Sequence, residues 1–380
     1  MARRLRPGAG VATLAAVRVL ILTPTAAPDL TGNATTVERL RRGLAARGDE
    51  VSVLATEPIG REGPDAAAIA RAVRDLRPDV LHAYHAWRCG RFLVDAGVAA
   101  AAREAGAALV VSLPGTDVER DLADPGRRPA ILEACRRAGA LVVHSEATRD
   151  RLREAAPDLA ARARLCPKAV RLGAGAYDLR RAAGAAGDDV LFFLPAGIRP
   201  IKGNLFPIAP LAALAAERGG GVRLALAGPV LDAAYGREVR AAVDASGGVA
   251  RHVPEIPLDA MGAAYAATDV VLNTSGIEGL ANTILEAALA ARAVLASDIP
   301  GNRAVVSPDE TGLLYRPGDP ADLLEKARAL AGDPALRGRL GAAARERVRR
   351  ERPPAAEVEA LRAAYREAIG RPRSGSGPAR

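Results

Sequence analysis

Two glutamates, Glu278 and Glu286, are separated by seven residues in the segment SGIEGLANTILEAAL. The first precedes a helix expected to begin within Gly279-Leu280-Ala281-Asn282. The second lies about 12 Å further along its axis if the rise is helical. A helix N-terminus offers free N–H groups and a partial positive charge, so the amides from Gly279 to Thr283 suit phosphate oxygens. Glu286 stands in an apolar context, where an unpartnered buried carboxylate is costly. A vicinal diol such as a ribose would satisfy it, while Glu278 is free to reach sugar hydroxyls.

A second group of residues occupies AGIRPIKGN, Ala196–Asn204. Arg199 and Lys202 sit there in a short Gly/Pro-bounded loop that directly follows an apolar run. An arginine fork and a lysine point charge in such a turn suit a diphosphate. Lysine itself is scarce: of 53 basic residues only Lys168, Lys202 and Lys326 are lysines, so a lysine in a loop calls for a reason. A third segment, TPTAAPDLTGNATTVERL, puts Gly32 and Asn33 in a loop opening a helix near Thr35, another seat for an anion. It is not a dinucleotide fingerprint, because G-x-G-x-x-G is missing.

These loops need a scaffold, and the rest of the chain supplies one. Short β-branched runs alternate with Ala/Leu/Arg helical stretches. Strands are expected at Val17–Leu22, Val51–Ala55, Val80–His82, Leu109–Ser112 and Leu141–His144. A second set follows at Val190–Pro195, Val222–Ala227, Arg251–Val253, Val270–Asn273 and Ala293–Ser297. Helices are expected at Thr35–Arg47, Ile69–Arg74, Leu205–Arg218, Ala281–Ala291 and Ala321–Leu330. Continuous apolar strands between helices imply parallel sheets covered on both faces. The class is therefore α/β, with two doubly wound Rossmann-like domains facing a central cleft. The expected organisation is a disordered extension at 1–16, a first domain at 17–175 and a second at 188–352. The Gly/Ala/Arg-rich stretch Leu172–Asp189 marks the boundary. After Pro353-Pro354, a helix over 353–370 is expected to pack back across the cleft, followed by a disordered tail at 371–380.

Composition narrows the function. The 380 residues carry a net charge of +9, but Arg3, Arg4, Arg6, Arg371, Arg373 and Arg380 lie in the acid-free ends. Without these six the body is left at +3 with 3% aromatic residues, which lacks the basic stripe and stacking platforms of a nucleic-acid binder. Arg136, Arg137, Arg149, Arg151 and Arg153 leave open a weak peripheral attraction to anionic lipid, against the plainer reading of solvated helix faces. Cys89, Cys135 and Cys166 show no metal-type spacing and are expected to be reduced thiols in the cytoplasm. The basic start followed by an apolar run imitates a signal peptide. Arg18, however, interrupts that run, and VRVLIL reads better as a buried strand.

The Glu278/Glu286 spacing resembles the E-x7-E motif of glycosyltransferase family 4, retaining enzymes of the GT-B fold. The block AVLASDIPGNRAVVSPDETGLLYRPGDPADLLEKARAL is similar to that family's C-terminal block. The loops GIRPIKG, GPVLDAAYGREV and SDIPGN are especially similar to the glycosyltransferase 1 domain-containing protein 1 group. A selenosugar synthase group shares a TGTD-like segment near Gly115-Thr116-Asp117. The resemblance runs over about residues 17–370. It implies that Arg199 and Lys202 hold the donor diphosphate, that Glu278 faces the transferred sugar and that Glu286 binds the ribose. It also implies that Gly32 belongs to the glycine-rich loop of the first domain. The chain departs from the family at Pro114, where a histidine is expected. Asp117 is a candidate to take over a polar role on the acceptor side, and His82 and His85 in LHAYHAW lie on a neighbouring loop. Asn302-Arg303-Ala304 stands where an acidic residue is usual.

The resemblance implies a retaining hexosyltransferase acting on a nucleotide-diphosphate sugar as co-substrate and a small-molecule or glycan acceptor. No Asp-x-Asp motif occurs in the chain, so cations and amides are expected to replace a metal ion and no cofactor is expected. A transferase forming seleno- or thiosugars and a non-catalytic nucleotide-sugar-binding protein are the alternatives. Base, sugar, acceptor and oligomeric state are not specified by the sequence.

Overall fold

A computed structural model of the protein describes residues 16–29, 31–253 and 255–371. The expected extension and tail, apart from Ala16 and Arg371, lie outside the described residues.

The first sheet is built from β1 (Arg18–Thr23), β2 (Glu50–Ala55), β3 (Val80–Tyr84), β4 (Ala108–Leu113), β5 (Ala140–Val143) and β6 (Ala163–Leu165). The second contains β7 (Val190–Pro195), β8 (Val222–Ala227), β9 (Ala250–Val253), β10 (Val270–Asn273), β11 (Ala293–Ser297) and β12 (Leu313–Tyr315). Their orders are β2-β1-β3-β4-β5-β6 and β12-β11-β10-β7-β8-β9, and every pairing is parallel. This is the GT-B arrangement of two doubly wound sheets. Each sheet reverses its winding beside its first strand, between β1 and β3 and between β7 and β10. Crevices open at such points beyond the carboxyl ends of the strands.

Strand positions follow the apolar runs to within a residue or two, because a strand covered on both faces must be apolar throughout. Two edge strands, β6 and β12, were not expected. Each has only three residues, and β6, reading Ala-Arg-Leu, carries no continuous apolar run. Two helix starts also differ. Thr31 caps the helix Gly32–Ala45 by accepting from the Ala34 amide, so Gly32 and Asn33 form its first turn and are not a preceding loop. The helix after β10 spans Asn282–Leu289. Gly279, Leu280 and Ala281 are therefore the approach to it, and Glu278 lies outside it.

The expected boundary is not a bare linker. It contains a short helix, Leu179–Ala183, whose Leu179 and Ala183 are buried in the core of the second sheet. The last helix, Pro354–Gly370, leaves the second domain and packs on the first sheet. Val358, Leu361, Ala364, Tyr365 and Ala368 join Val19, Ile21, Val110 and Val142 in one apolar cluster. Burying a leucine such as Leu361 contributes about 1.5–3 kcal/mol. Arg39 adds a two-pronged pair to the buried Glu357, at 2.7 and 3.0 Å. Of the arginines considered for lipid attraction, Arg137, Arg149, Arg151 and Arg153 pair with carboxylates three or four residues away on their own helices. No helix among the described residues is long and apolar enough to cross a membrane.

Candidate active site

The carboxyl ends of β1, β3, β4, β7, β8 and β10 open on one cleft of about 590 Å³ between the sheets. Its second-domain wall is made by two loops that brace each other. Gly203 adopts φ +61° so that the Lys202 turn can pass over Thr274; a Cβ there would meet the Thr274 carbonyl at 2.4 Å. The Thr274 hydroxyl donates to the Lys202 carbonyl at 2.8 Å, and the Gly276 amide to the Ile201 carbonyl at 3.0 Å. This bracing brings Lys202 to Glu278, with Nζ 2.5 Å from Oε1. Ser275 and Asn273 donate to the same oxygen at 2.6 and 3.4 Å, while Oε2 takes no bond among the described residues. Burial alone would push the Glu278 carboxyl up. The charge of Lys202 and the three hydrogen bonds outweigh it and hold the group below the usual range.

Arg199 points from the same turn and has no ion pair among the described residues. Burial, followed by the charges of Arg88 and Arg120 across the cleft, lowers its pKa, against the pull of Glu278. The other carboxylate, Glu286, projects from the Asn282–Leu289 helix and accepts from the Tyr265 hydroxyl at 2.8 Å. Burial raises its pKa, opposed by that hydrogen bond and by Arg39 and Lys168. Between the two carboxylates runs a segment whose backbone amides are unbonded. No amide from Gly279 to Thr283 donates to a protein acceptor among the described residues, and Ala281 supplies no side-chain cap. A helix start left open in this way is a seat for an anion.

The first domain closes directly on that segment. Gly115 and Gly279 meet backbone to backbone, so that a Cβ on Gly279 would lie 2.0 Å from the Pro114 carbonyl. Asn282 Nδ2 donates to the Gly32 carbonyl at 3.2 Å and contacts the hydroxyls of Thr35 and Thr36. Lys168, just after β6, is 6% exposed and donates to the Leu280 carbonyl at 3.2 Å. Burial, with the charge of Arg39, pulls its pKa down to about 8, although Glu357, Glu278 and Glu286 pull the other way.

Residues 188–333 match the family model described as Glycosyl transferases group 1. Glycosyltransferase 1 domain-containing protein 1 of Xenopus tropicalis is 33% identical over 150 residues, which is 40% of this chain and 42% of that protein. The second domain belongs to the group 1 glycosyl transferases. The match spans about two fifths of this curated relative's length. In overall fold the chain is similar to sucrose-phosphate synthase of Thermosynechococcus elongatus, with a TM-score of 0.76 at 19% identity, covering 92% of this chain and 98% of that one. It is also similar to Anabaena HepE in a complex with UDP and glucose, with a TM-score of 0.74 at 18% identity, covering 91% and 98%.

Gly32, Asn33, Arg199, Lys202, Glu278, Glu286 and the run Gly279–Thr283 all line the one cleft. So does His85, whose Nδ1 accepts the Arg88 amide at 3.2 Å, leaving the proton on Nε2, 3.4 Å from the Thr116 hydroxyl. Burial holds His85 neutral, with a pKa down at about 3. Asp117 does not face the cleft. It is fully buried and its carboxylate is committed to the amides of Ala86, Gly115 and Val118, which fixes the Pro114-Gly115 turn. His82 is likewise a core residue, held between Tyr365 and Ser112. Sequence reasoning missed Tyr265, Arg88, Arg120 and the placement of Lys168. For Lys168 a signal existed, since it is one of only three lysines in the chain. Among the described residues no group of three His, Cys, Asp or Glu is arranged around a metal position.

Proposed function

We propose that the protein is a retaining glycosyltransferase that moves a hexosyl group from a nucleotide-diphosphate sugar to a separate acceptor. UDP-glucose is the donor to try first, given the likeness in fold to HepE, which has been solved with UDP-glucose as well as with UDP and glucose. The observation that carries this reading is the unbonded amide run Gly279–Thr283, set between Lys202 and Glu286. Bond cleavage leaves charge on the diphosphate. Amides and cations already aimed at that charge lower the barrier without having to reorganise. Lys202 and Arg199 would take the diphosphate, Glu286 the ribose diol, and the open Oε2 of Glu278 a hydroxyl of the sugar. His85 Nε2–H and Thr116 would line the acceptor side. The acceptor would attack from the face the diphosphate leaves, so no protein nucleophile is needed and the donor's anomeric configuration is kept.

Because protein groups supply the positive charge, turnover should continue in excess EDTA, with the product's anomeric configuration matching the donor's. Proton NMR of the product formed with chelator present reads both at once. Activity restored only by magnesium or manganese would sink the cation-and-amide site, and an inverted anomer would sink the front-face route.

Glu286→Gln should separate stability from binding. The folded-state pKa of Glu286 is raised, so its favourable contribution exists below the unfolded value near 4.5 and is lost as pH rises through the folded value. At pH 7 the buried charge is a cost that glutamine removes. The variant should melt higher than wild type at pH 7, lose that advantage near pH 4, and bind the donor roughly tenfold more weakly. Melting curves at both pH values and donor titration check this; a lower melting point at pH 7 would contradict it.

A further inference from the structure

Lys168 has no part in the roles assigned so far, yet it is a buried cation in the cleft wall. An ammonium that is 6% exposed loses most of its hydration, and no carboxylate pairs with it among the described residues. Its one side-chain hydrogen bond among the described residues crosses from the first domain to the Leu280 carbonyl. The base of the side chain is fixed, because the Cys166 amide donates to the Val143 carbonyl and extends the β5–β6 ladder almost to Lys168. The Leu280 carbonyl and the Ala281 N–H belong to one planar trans peptide, so they point in opposite directions. Drawing the carbonyl toward Lys168 turns the Ala281 N–H away from it.

We propose that Lys168 is a positioning residue for the donor diphosphate: by holding the Leu280 carbonyl it fixes the peptide plane that presents the Ala281 amide, at the centre of the unbonded run. The inference rests on the nucleotide-sugar reading and deepens it. Lys168 lines the cleft, but its ammonium is committed to the Leu280 carbonyl, so the effect assigned to it runs through that peptide to the diphosphate and not to the nucleoside. The amide cradle then exists only while the segment after β6 and the donor loop are together, which ties the anion seat to the closed arrangement of the domains.

Titration calorimetry with UDP and with uridine tests this on the full chain. Wild type should bind UDP more tightly than uridine. Lys168→Met keeps the length of the side chain but lacks the donor, and should lose roughly tenfold in UDP affinity with uridine affinity held within about twofold. Lys168→Arg keeps a cation with N–H donors and should retain the UDP-to-uridine ratio within about threefold. An unchanged ratio in Lys168→Met, an equal loss for both ligands, or a ratio lost equally in the arginine variant would overturn the proposal. Wild-type protein that binds none of UDP, GDP and ADP would overturn the donor reading itself and this proposal with it.

Discussion

Lys202→Ala should damage the protein in two separable ways. The first is affinity. Losing a charge-assisted contact to the diphosphate should cost about 1.5–3 kcal/mol, roughly ten- to a hundredfold or more. The second is stability, because Lys202 is also the cation that Glu278 folds against, 2.5 Å away. Without it, burial would push the Glu278 carboxyl up, and the charge would be held only by Ser275 and Asn273. Removing one partner of a buried pair typically costs about 3–5 kcal/mol. The lower end or below is expected here, since the Lys202 side chain is one-fifth exposed. In wild type the Glu278 contribution is fully present above the unfolded pKa near 4.5 and fades as pH falls through the depressed folded value. In Lys202→Ala, with the carboxyl pushed up instead, the sign reverses: the buried charge costs most at neutral pH, and that cost eases as pH falls through the raised value. The double variant Lys202→Ala/Glu278→Gln should regain most of the melting temperature and none of the diphosphate affinity. Arg199→Ala, which breaks no ion pair, should lose affinity alone. Calorimetry with UDP and melts from pH 4 to 8 provide the readings. A single Lys202→Ala variant that melts like wild type would mean the pair contributes nothing to the fold.

The two-sided character of Lys202 shows how far sequence reading reached. Strands such as Val190–Pro195 and Val222–Ala227 were legible to the residue, because a central parallel strand needs apolar residues on both faces and few segments satisfy that. The cleft residues were legible because glycine, lysine and paired glutamates at fixed spacing have few structural uses in loops. Spacing could not show that Lys202 and Glu278, 76 residues apart, bond each other before any ligand arrives. Nor could it show that Tyr265, in the small-residue run MGAAYAA, reaches Glu286. Such contacts are made by the packing of separate loops, and no local periodicity carries them. Asp117 failed for a related reason. A carboxylate after a strand reads as cleft-facing, but here three backbone amides turn it inward, so it shapes the Pro114-Gly115 turn from beneath. The same holds for the helix start. The sequence allowed a helix from Gly279, yet Gly279 is occupied by its contact with the other domain and the helix begins at Asn282.

That contact makes Gly279→Ala the substitution expected to cost most in turnover. A Cβ at Gly279 would lie 2.0 Å from the Pro114 carbonyl and 2.5 Å from the Gly115 Cα, and all of these are backbone atoms that no rotamer change can move aside. Gly115 is in no position to yield, since it holds φ +122° and its amide is bonded to Asp117. The domains must therefore separate by about an ångström at the point where the amide run, the Asn282 bonds to Gly32 and the Lys168 bond all form. Displacing catalytic groups by that much can cost about a hundredfold in rate. The folded state should survive, because Gly279 belongs to neither domain's apolar core and its own backbone is not in the left-handed region. Gly276→Ala is the control: it lies three residues earlier in the same loop and its Cβ would meet nothing within 4 Å. Steady-state kinetics with a cognate donor should show Gly276→Ala close to wild type and Gly279→Ala down by roughly two orders of magnitude, with similar melting temperatures. Small-angle scattering should show a larger radius of gyration for Gly279→Ala alone. Full turnover in that variant would mean that chemistry does not need the two domains in contact at this point, and that the glycine pair is a packing feature without a part in the reaction.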